Sequence, residues 1–461
     1  MELIIFVGRR VALKKSSKNA NRADYLQKLT ISGYKSITKP TTIAFGGLTV
    51  LAGVNSGGKS SLIQPLLLLK QTIEATHDPG PLKIDGPNVR FSELAQFFSK
   101  LKKKELGPLS FDLVFAAQKE GFTFSADKRV LKLESNRIEA NGASLVLSGE
   151  SATMVEFVKI LPRFLQQYLK EQKIVFTDEQ IGLERKRFIF SPSLLSETSK
   201  STLRRPHLIP ALLENNFDNL SLSWVRNLIH VPGLRGVPMR GYPISGVGSN
   251  FPGRFEDYTA SVIKRWQDDS DERVVAVGNA LEALGLTWKV TAESIDGATA
   301  DIKIGRLPKS AHGGAKDLVS IADVGFGVSQ VMPVVVALFA ARPGQAVYIE
   351  QPEIHLHPRA QMALAGLLVD AANRDVQVIV ETHSALLLTS LQTLIAQQKI
   401  DAADVKLHWV SRDASGSSMV TTAELDADGA YGDWPVDFDE TVDAATTNYL
   451  NATVFKAAAS K

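Results

Sequence analysis

Apolar positions along the chain fall into three regimes. Between residues 26 and 52 short apolar runs alternate with turn signals, in "LQKLTISGYKSI", "TTIAF" and "GLTVLAGV", and predict successive strands. "KSSLIQPLLLLKQTIEATH" then predicts a helix, and a Pro/Gly-punctuated loop covers 80–93. "LSFDLVFAA", "FTFSADK", "VLKLESNRIEA" and "ASLVLSG" add further strands. Over 151–310 the pattern shifts to long amphipathic helix signals such as "TMVEFVKILPRFLQQYLKEQ", with one Gly/Pro-rich loop, "HVPGLRGVPMRGYPISGVGSNFPGRF". From 311 a helix ("VSQVMPVVVALFAA"), a buried strand ("AVYIE"), a helix ("QMALAGLLVDAANR") and a buried strand ("VQVIVETH") alternate. That order argues for a parallel sheet covered by helices. The expected fold is α/β. A mixed sheet is built from 24–150 and 311–461, a mainly helical arm or lid spans 151–310, and 1–23 forms a basic tail.

Composition changes this picture little. A chain of 461 residues, 44% hydrophobic and 22% charged, reads as an ordinary globular protein of two or three domains. The net charge of +3 does not by itself point to nucleic acid. Basic residues do gather at the start (Arg9, Arg10, Lys14, Lys15, Lys18 and Arg22), as in a flexible tail or a specific basic contact. The absence of cysteine excludes disulfides and thiolate metal sites and fits a reducing cytosol. The longest apolar run, Val331 to Ala341, is about half of the ~20 residues a membrane span needs, so a soluble cytoplasmic protein is expected.

The clearest chemistry lies in "GVNSGGKS", Gly53 to Ser60, which fits G-x-x-x-x-G-K-S/T with a strand before it and a helix after it. Glycines let backbone N–H groups wrap a phosphate, and the following helix adds partial positive charge. Lys59 would reach the β- and γ-phosphates, and the Ser60 hydroxyl could ligate magnesium. Three weaker signals follow in order. "DVGFGVSQVMP" places a Gly/Ser turn before a helix, as either an anion site or a plain cap. "VYIEQPEIHLHP" ends a buried strand in Glu350. "VIVETHSALLL" puts His383 after another buried strand, in either a structural or a phosphate-contacting role.

In this order the motifs resemble the ABC-type ATPase heads of the SMC, RecF and OLD group. Bacterial AAA-labelled ATPases carry "EQPEIHLHP", "DVGFGVSQ" and "ETHS" nearly letter for letter, and "GDWPVDFDE" (Gly432 to Glu440) resembles the Trp-Pro C-terminal extension of one branch. The resemblance covers roughly 26–120 and 225–445. It implies a phosphate loop of Asn55, Gly57, Gly58, Lys59, Ser60 and Ser61, and a signature of Gly327, Ser329 and Gln330 that meets the nucleotide of a second subunit. It further implies Glu350 as the magnesium-side acid, His383 as the switch histidine, and His357 and Pro358 in a dimer-facing loop. Gln96 is a candidate for the glutamine that bridges magnesium and water. Two chains would then meet head to tail around two ATP molecules, as a homodimer or higher oligomer.

Gln351 stands where the family pattern has a second acid, and an amide cannot take a proton from water. Glutamine orients water in some GTPases, so slow hydrolysis is expected. Glu353 reads either as a recruited base or as a solvated residue before the next helix. Arg235 and Arg240, beside Tyr242 in the Gly/Pro loop, read either as a phosphate or nucleic-acid contact or as loop charge. Relatives in the OLD group carry a Toprim nuclease; no nuclease chemistry is visible here, so an effector would be a separate protein. The resemblance extends to anti-phage ATPases of the Septu and PARIS type, and an ATP-driven switch in bacterial defence is the first expectation. A RecF-like ATPase that clamps DNA directly is the alternative.

Overall fold

The computed structural model describes residue 22 and residues 24–96, 98–99, 108–127, 130–148, 151–153, 158–160, 163–171, 180–193, 220–306 and 317–432. The basic lead apart from Arg22, and the Trp-Pro segment apart from Gly432, lie outside these residues.

The chain opens with β1 (Lys28–Ser32), β2 (Thr41–Ala44) and β3 (Leu48–Gly53), and β3 runs through the glycine loop into helix α1 (Lys59–Ile73). β4 (Leu109–Val114), β5 (Gln118–Asp127), β6 (Val130–Ala140) and β7 (Ala143–Leu147) follow, and β2-β1-β4-β5-β6-β7 form one antiparallel sheet. Burial in β4 alternates strictly, as a sheet with one covered face requires. Asn141 (φ 55) and Gly142 (φ 79) close the β6–β7 hairpin, the left-handed pair that a two-residue turn demands. β8 (Ser151–Thr153), α2 (Arg163–Glu171), β9 (Gln180–Lys186) and β10 (Ile189–Ser193) come next, the strands forming a three-stranded sheet. Then come α3 (Leu220–Asn227), β11 (Ile229–Val231), β12 (Tyr242–Pro243), α4 (Thr259–Asp268), α5 (Arg273–Ala283), β13 (Val290–Ser294), β14 (Thr299–Gly305) and β15 (Leu318–Ser320).

The C-terminal part alternates α6 (Phe326–Ala340), β16 (Ala346–Glu350), α7 (Pro358–Asn373), β17 (Gln377–Thr382), α8 (Ala385–Ala396), β18 (Val405–Arg412) and β19 (Ser418–Ala423). The central sheet has the order β11-β16-β17-β3-β18-β19, parallel through β18 with β19 antiparallel at the edge. Every residue of β3 and β17 is buried, the mark of parallel strands covered on both faces. One face packs Val50, Val347, Val378 and Trp409 against the helices α4 to α8. The other packs Leu51, Tyr348 and Ile379 against α1, α3 and the antiparallel sheet. This is the mixed α/β sheet expected, with β3 inserted between C-terminal strands.

Over 151–310 the described residues form both helices (α2 to α5) and strands (β8 to β14); β11 is an edge strand of the central sheet beside β16, and α4 and α5 pack on α6. Three residues, Ile229–Val231, are too few to show a period, and only the partner β16 fixes their place. Arg22, the last basic residue of the lead, is ion-paired with Asp375 at 3.2 Å and Asp404 at 2.5 Å. Among the described residues no helix is long and apolar enough to cross a membrane.

Candidate nucleotide site

Three parallel strands, β3, β17 and β16, end side by side, and the residues that leave them make the site. The loop after β3 takes its shape from left-handed positions at Gly53 (φ 144), Ser56 (φ 60) and Gly58 (φ 112). It leans on the end of β18: a Cβ on Gly53 would lie 2.1 Å from the Val410 carbonyl oxygen. Ser418 Oγ adds a 2.8 Å hydrogen bond to the Gly57 carbonyl. Gly53→Ala is therefore expected to lose phosphate-loop geometry and ATP binding altogether, with a stability cost of about 2 kcal/mol or more. Fluorescent-nucleotide titration and urea unfolding check both.

Lys59 is buried, and its Nζ donates to the carbonyls of Gly53 and Val54, each at 2.9 Å. The ammonium also lies 3.5 Å from His383 Nδ1. Burial lowers the Lys59 pKa, opposed by the nearby carboxylates of Glu381 and Glu353. His383 is pushed below its ordinary value by burial and by the Lys59 charge, which favours a neutral ring. Asn55 is exposed at the loop tip, and Ser61 is buried at the start of α1.

The Ser60 hydroxyl does not meet Glu350. It donates to Oε2 of Glu381 at 2.8 Å, and the Tyr348 hydroxyl holds the other oxygen of that carboxylate. Tyr348 and Glu350 lie two apart on β16, so both face the same side, and Glu350 pairs in register with Glu381 on β17. The Glu350 oxygens are taken elsewhere: Oε1 lies 3.2 Å from His230 Nε2, and Oε2 accepts the Gly233 N–H at 3.0 Å. His230 comes from β11, stacks on Tyr348 and reaches Asn88 Oδ1 at 3.1 Å through Nδ1. Two acids beside one another separate in pKa. Burial, then the charge of Glu350, pushes Glu381 up to about 7. Burial acts upward on Glu350 too, but the His230 hydrogen bond and charge and the Gly233 N–H outweigh it and pull Glu350 below its ordinary value.

Gln351 follows with a left-handed backbone (φ 43), its N–H bonded to the Glu381 carbonyl at 2.9 Å. Glu353 is buried; Oε1 accepts the His383 N–H at 2.7 Å, and among the described residues Oε2 has no hydrogen-bond partner. Burial raises its pKa, with the His383 N–H opposing. The strand ends thus bring Lys59, Ser60, Glu350, Gln351, Glu353 and His383 into one cluster.

The other sequence candidates lie apart from it. Gln330 is buried and donates to the carbonyls of Arg235 (3.3 Å) and Gly236 (3.2 Å), while Ser329 Oγ donates to its own helix at Phe326 (3.0 Å). Gly327 packs near the His355 carbonyl. The exposed start of α6 is Gly325 and Phe326, with no side-chain cap. Gln96 is exposed, its amide bonded to Ser92. His357 caps α7 through the Arg359 N–H, and Pro358 is the first residue of that helix. Arg235 is buried on backbone carbonyls, and Arg240 is an exposed side chain paired with Asp323 at the surface. Sequence reasoning missed Glu381 and His230. The letter before "THS" was in plain view, but its meaning depends on strand register.

The parallel core with its antiparallel companion sheet, and the phosphate loop joined to acids on adjacent strand ends, define an ABC-type P-loop ATPase head. Residues 158–389, half of the chain, match the family described as "AAA domain, putative AbiEii toxin, Type IV TA system", and the chain belongs to that family. No curated protein matches. Among solved structures, the chain is similar to an Smc head bound to the C-terminal winged-helix domain of ScpA, at 14% identity and TM-score 0.46 over 87% of this chain and 98% of that one. It is also similar to the SMC head domain of Thermotoga maritima, at 13% identity and TM-score 0.37 over 87% and 99%. A third is the Pyrococcus furiosus Smc head with an extended coiled coil, bound to the C-terminal domain of ScpA, at 12% identity and TM-score 0.43 over 87% and 96%.

Proposed function

We propose that the protein is an ATP-binding, slowly hydrolysing switch that closes head to tail on a second copy of itself and controls a separate effector protein in bacterial anti-phage defence. The observation that carries the switch reading is the division of the site. Lys59 meets His383, Ser60 meets Glu381 and His383 meets Glu353, whereas the start of α6 is exposed, uncapped and, among the described residues, joined to the phosphate loop by no hydrogen bond. A helix start with free N–H groups suits an anion supplied by another chain. The family description, with its toxin and toxin–antitoxin terms, is in keeping with a role in bacterial defence.

On this reading Lys59 exchanges the carbonyls of Gly53 and Val54 for the β- and γ-phosphates, and neutral His383 faces the γ-phosphate. The Ser60 hydroxyl and the neighbouring carboxylates form an all-oxygen donor set that fits magnesium, which would neutralise phosphate charge when bound. Gln351 orients the water, and Glu353, with one oxygen unpartnered, takes its proton. Fixed positive charge on the phosphates does most of the work, so loss of a strong base slows the reaction without abolishing it.

The test is the mass of the particle in solution with and without Mg-ATP, paired with phosphate release. Wild type is expected to double in mass and to release phosphate slowly, and Lys59→Ala to do neither. An unchanged mass at saturating ATP overturns the head-to-tail switch. Direct DNA clamping would show as ATP-stimulated, salt-dependent binding. Arg235 is taken up by backbone carbonyls, while Arg240 is an exposed surface cation beside Asp323.

A further inference from the structure

We propose that Glu381, on the strand next to the expected magnesium-side acid, supplies a carboxylate to the divalent cation that accompanies ATP, acting together with Ser60. The inference rests on the ATP-binding reading and adds a residue to it. Three observations carry it. The hydroxyl that the phosphate loop offers to a metal already touches Glu381 Oε2 at 2.8 Å, so a cation on Ser60 Oγ is within reach of that oxygen. Both oxygens of Glu350 are tied down, one by His230 and one by the Gly233 N–H. Among the described residues Glu381 Oε2 is held only by a hydroxyl, which can turn its proton away, while Tyr348 fixes the other oxygen and hence the direction of the carboxylate.

Burial adds a reason. Glu381 is 1% exposed, and Glu350 pairs with it in register, one strand away. Two acids paired across strands whose backbones lie about 4.8 Å apart, one of them fully buried, cost stability unless positive charge is shared between them. Lys59 supplies part of that charge from the loop side. A small cation with oxygen ligands supplies the rest, and one or two carboxylates plus substrate phosphates is how magnesium is usually held. Glu350 then serves from behind, kept ionised and oriented by the chain Asn88–His230.

The experiment measures fluorescent-ATP affinity in EDTA and in Mg2+, with Mn2+ titration followed by electron paramagnetic resonance as a direct readout of the cation. For wild type, the cation is expected to tighten nucleotide binding clearly. Glu381→Gln keeps the EDTA affinity and loses about tenfold of the Mg2+ gain and of the Mn2+ affinity. Ser60→Ala is expected to lose part of the same gain, and the double variant to lose more than either single one, because each change removes one oxygen from the same cation. Tyr348→Phe keeps the carboxylate but frees its direction. It is expected to lose a smaller part of the gain, which keeps the proposal testable if Glu381→Gln folds poorly. A Glu381→Gln protein with the full wild-type Mg2+ gain overturns the assignment. Wild-type protein that binds no nucleotide even in EDTA overturns the ATP reading itself, a result distinct from the first.

Discussion

In Arg235→Lys, phosphate release is expected to fall by about a hundredfold while ATP affinity stays near wild type. The buried guanidinium donates to three backbone carbonyls on two elements: Gln330 of α6 at 2.8 Å, Glu350 at 3.2 Å and Gln351 at 2.8 Å. Gln330 returns the contact through its amide, so the start of α6 and the end of β16 are clasped together. The left-handed backbone at Gln351 sets where its amide, the one proposed to orient water, lies, and the clasp holds that turn. A lysine keeps the charge but offers a single point donor where a planar fork spans several carbonyls. Arg235→Ala removes the donors outright and leaves buried carbonyls unpaired, an expected loss on the order of 3 kcal/mol in denaturant unfolding. A purely structural arginine would lower ATP binding and turnover together. Undiminished phosphate release in Arg235→Lys excludes the clasp from catalysis.

The second large effect is expected at Gln351. Restoring an acid, Gln351→Glu, should raise the turnover number by about a hundredfold, the scale of a positioned general base. Glu353→Gln in the wild-type background should lower turnover about tenfold, and in the Gln351→Glu background should change it little. Equal turnover of Glu353→Gln and wild type would remove Glu353 from the mechanism. The stability of Glu353→Gln separates this role from folding. Burial raises the pKa of Glu353, so its charged form destabilises the folded state. Wild type carries no such cost below the ordinary carboxylate range and acquires it as pH rises through the elevated folded value. Glu353→Gln should therefore match wild type in acid and unfold at higher temperature near neutral pH.

The phosphate loop was legible because its chemistry is written in consecutive letters: glycines at left-handed positions, then a lysine and a serine that start a helix. The parallel sheet was legible because strands buried on both faces have few residue types to draw on, as in "VQVIVETH". Glu381 and His230 were not, because each gains its role from a neighbour distant in sequence: Glu381 from Ser60, and His230 from Glu350 and Asn88. Periodicity reports which face a residue takes, not which strand lies beside it. Arg235 misled for a related reason. A lone arginine in a Gly/Pro loop looks solvated until the carbonyls that surround it are in place. The place of β11 in the central sheet was not legible either, because three residues are too few to interrupt a helical pattern.

The contact between the phosphate loop and the turn joining β18 to β19 has a consequence for regulation. Ser418 holds the Gly57 carbonyl, its N–H is bonded to the Ser36 carbonyl, and Ser417 meets Thr38 at 2.6 Å. The turn is a latch on the nucleotide loop, and β19 leads directly into the C-terminal segment. A ligand that bound only one position of this turn would change nucleotide affinity by some factor, and thermodynamic reciprocity would require nucleotide to change that ligand's affinity by the same factor.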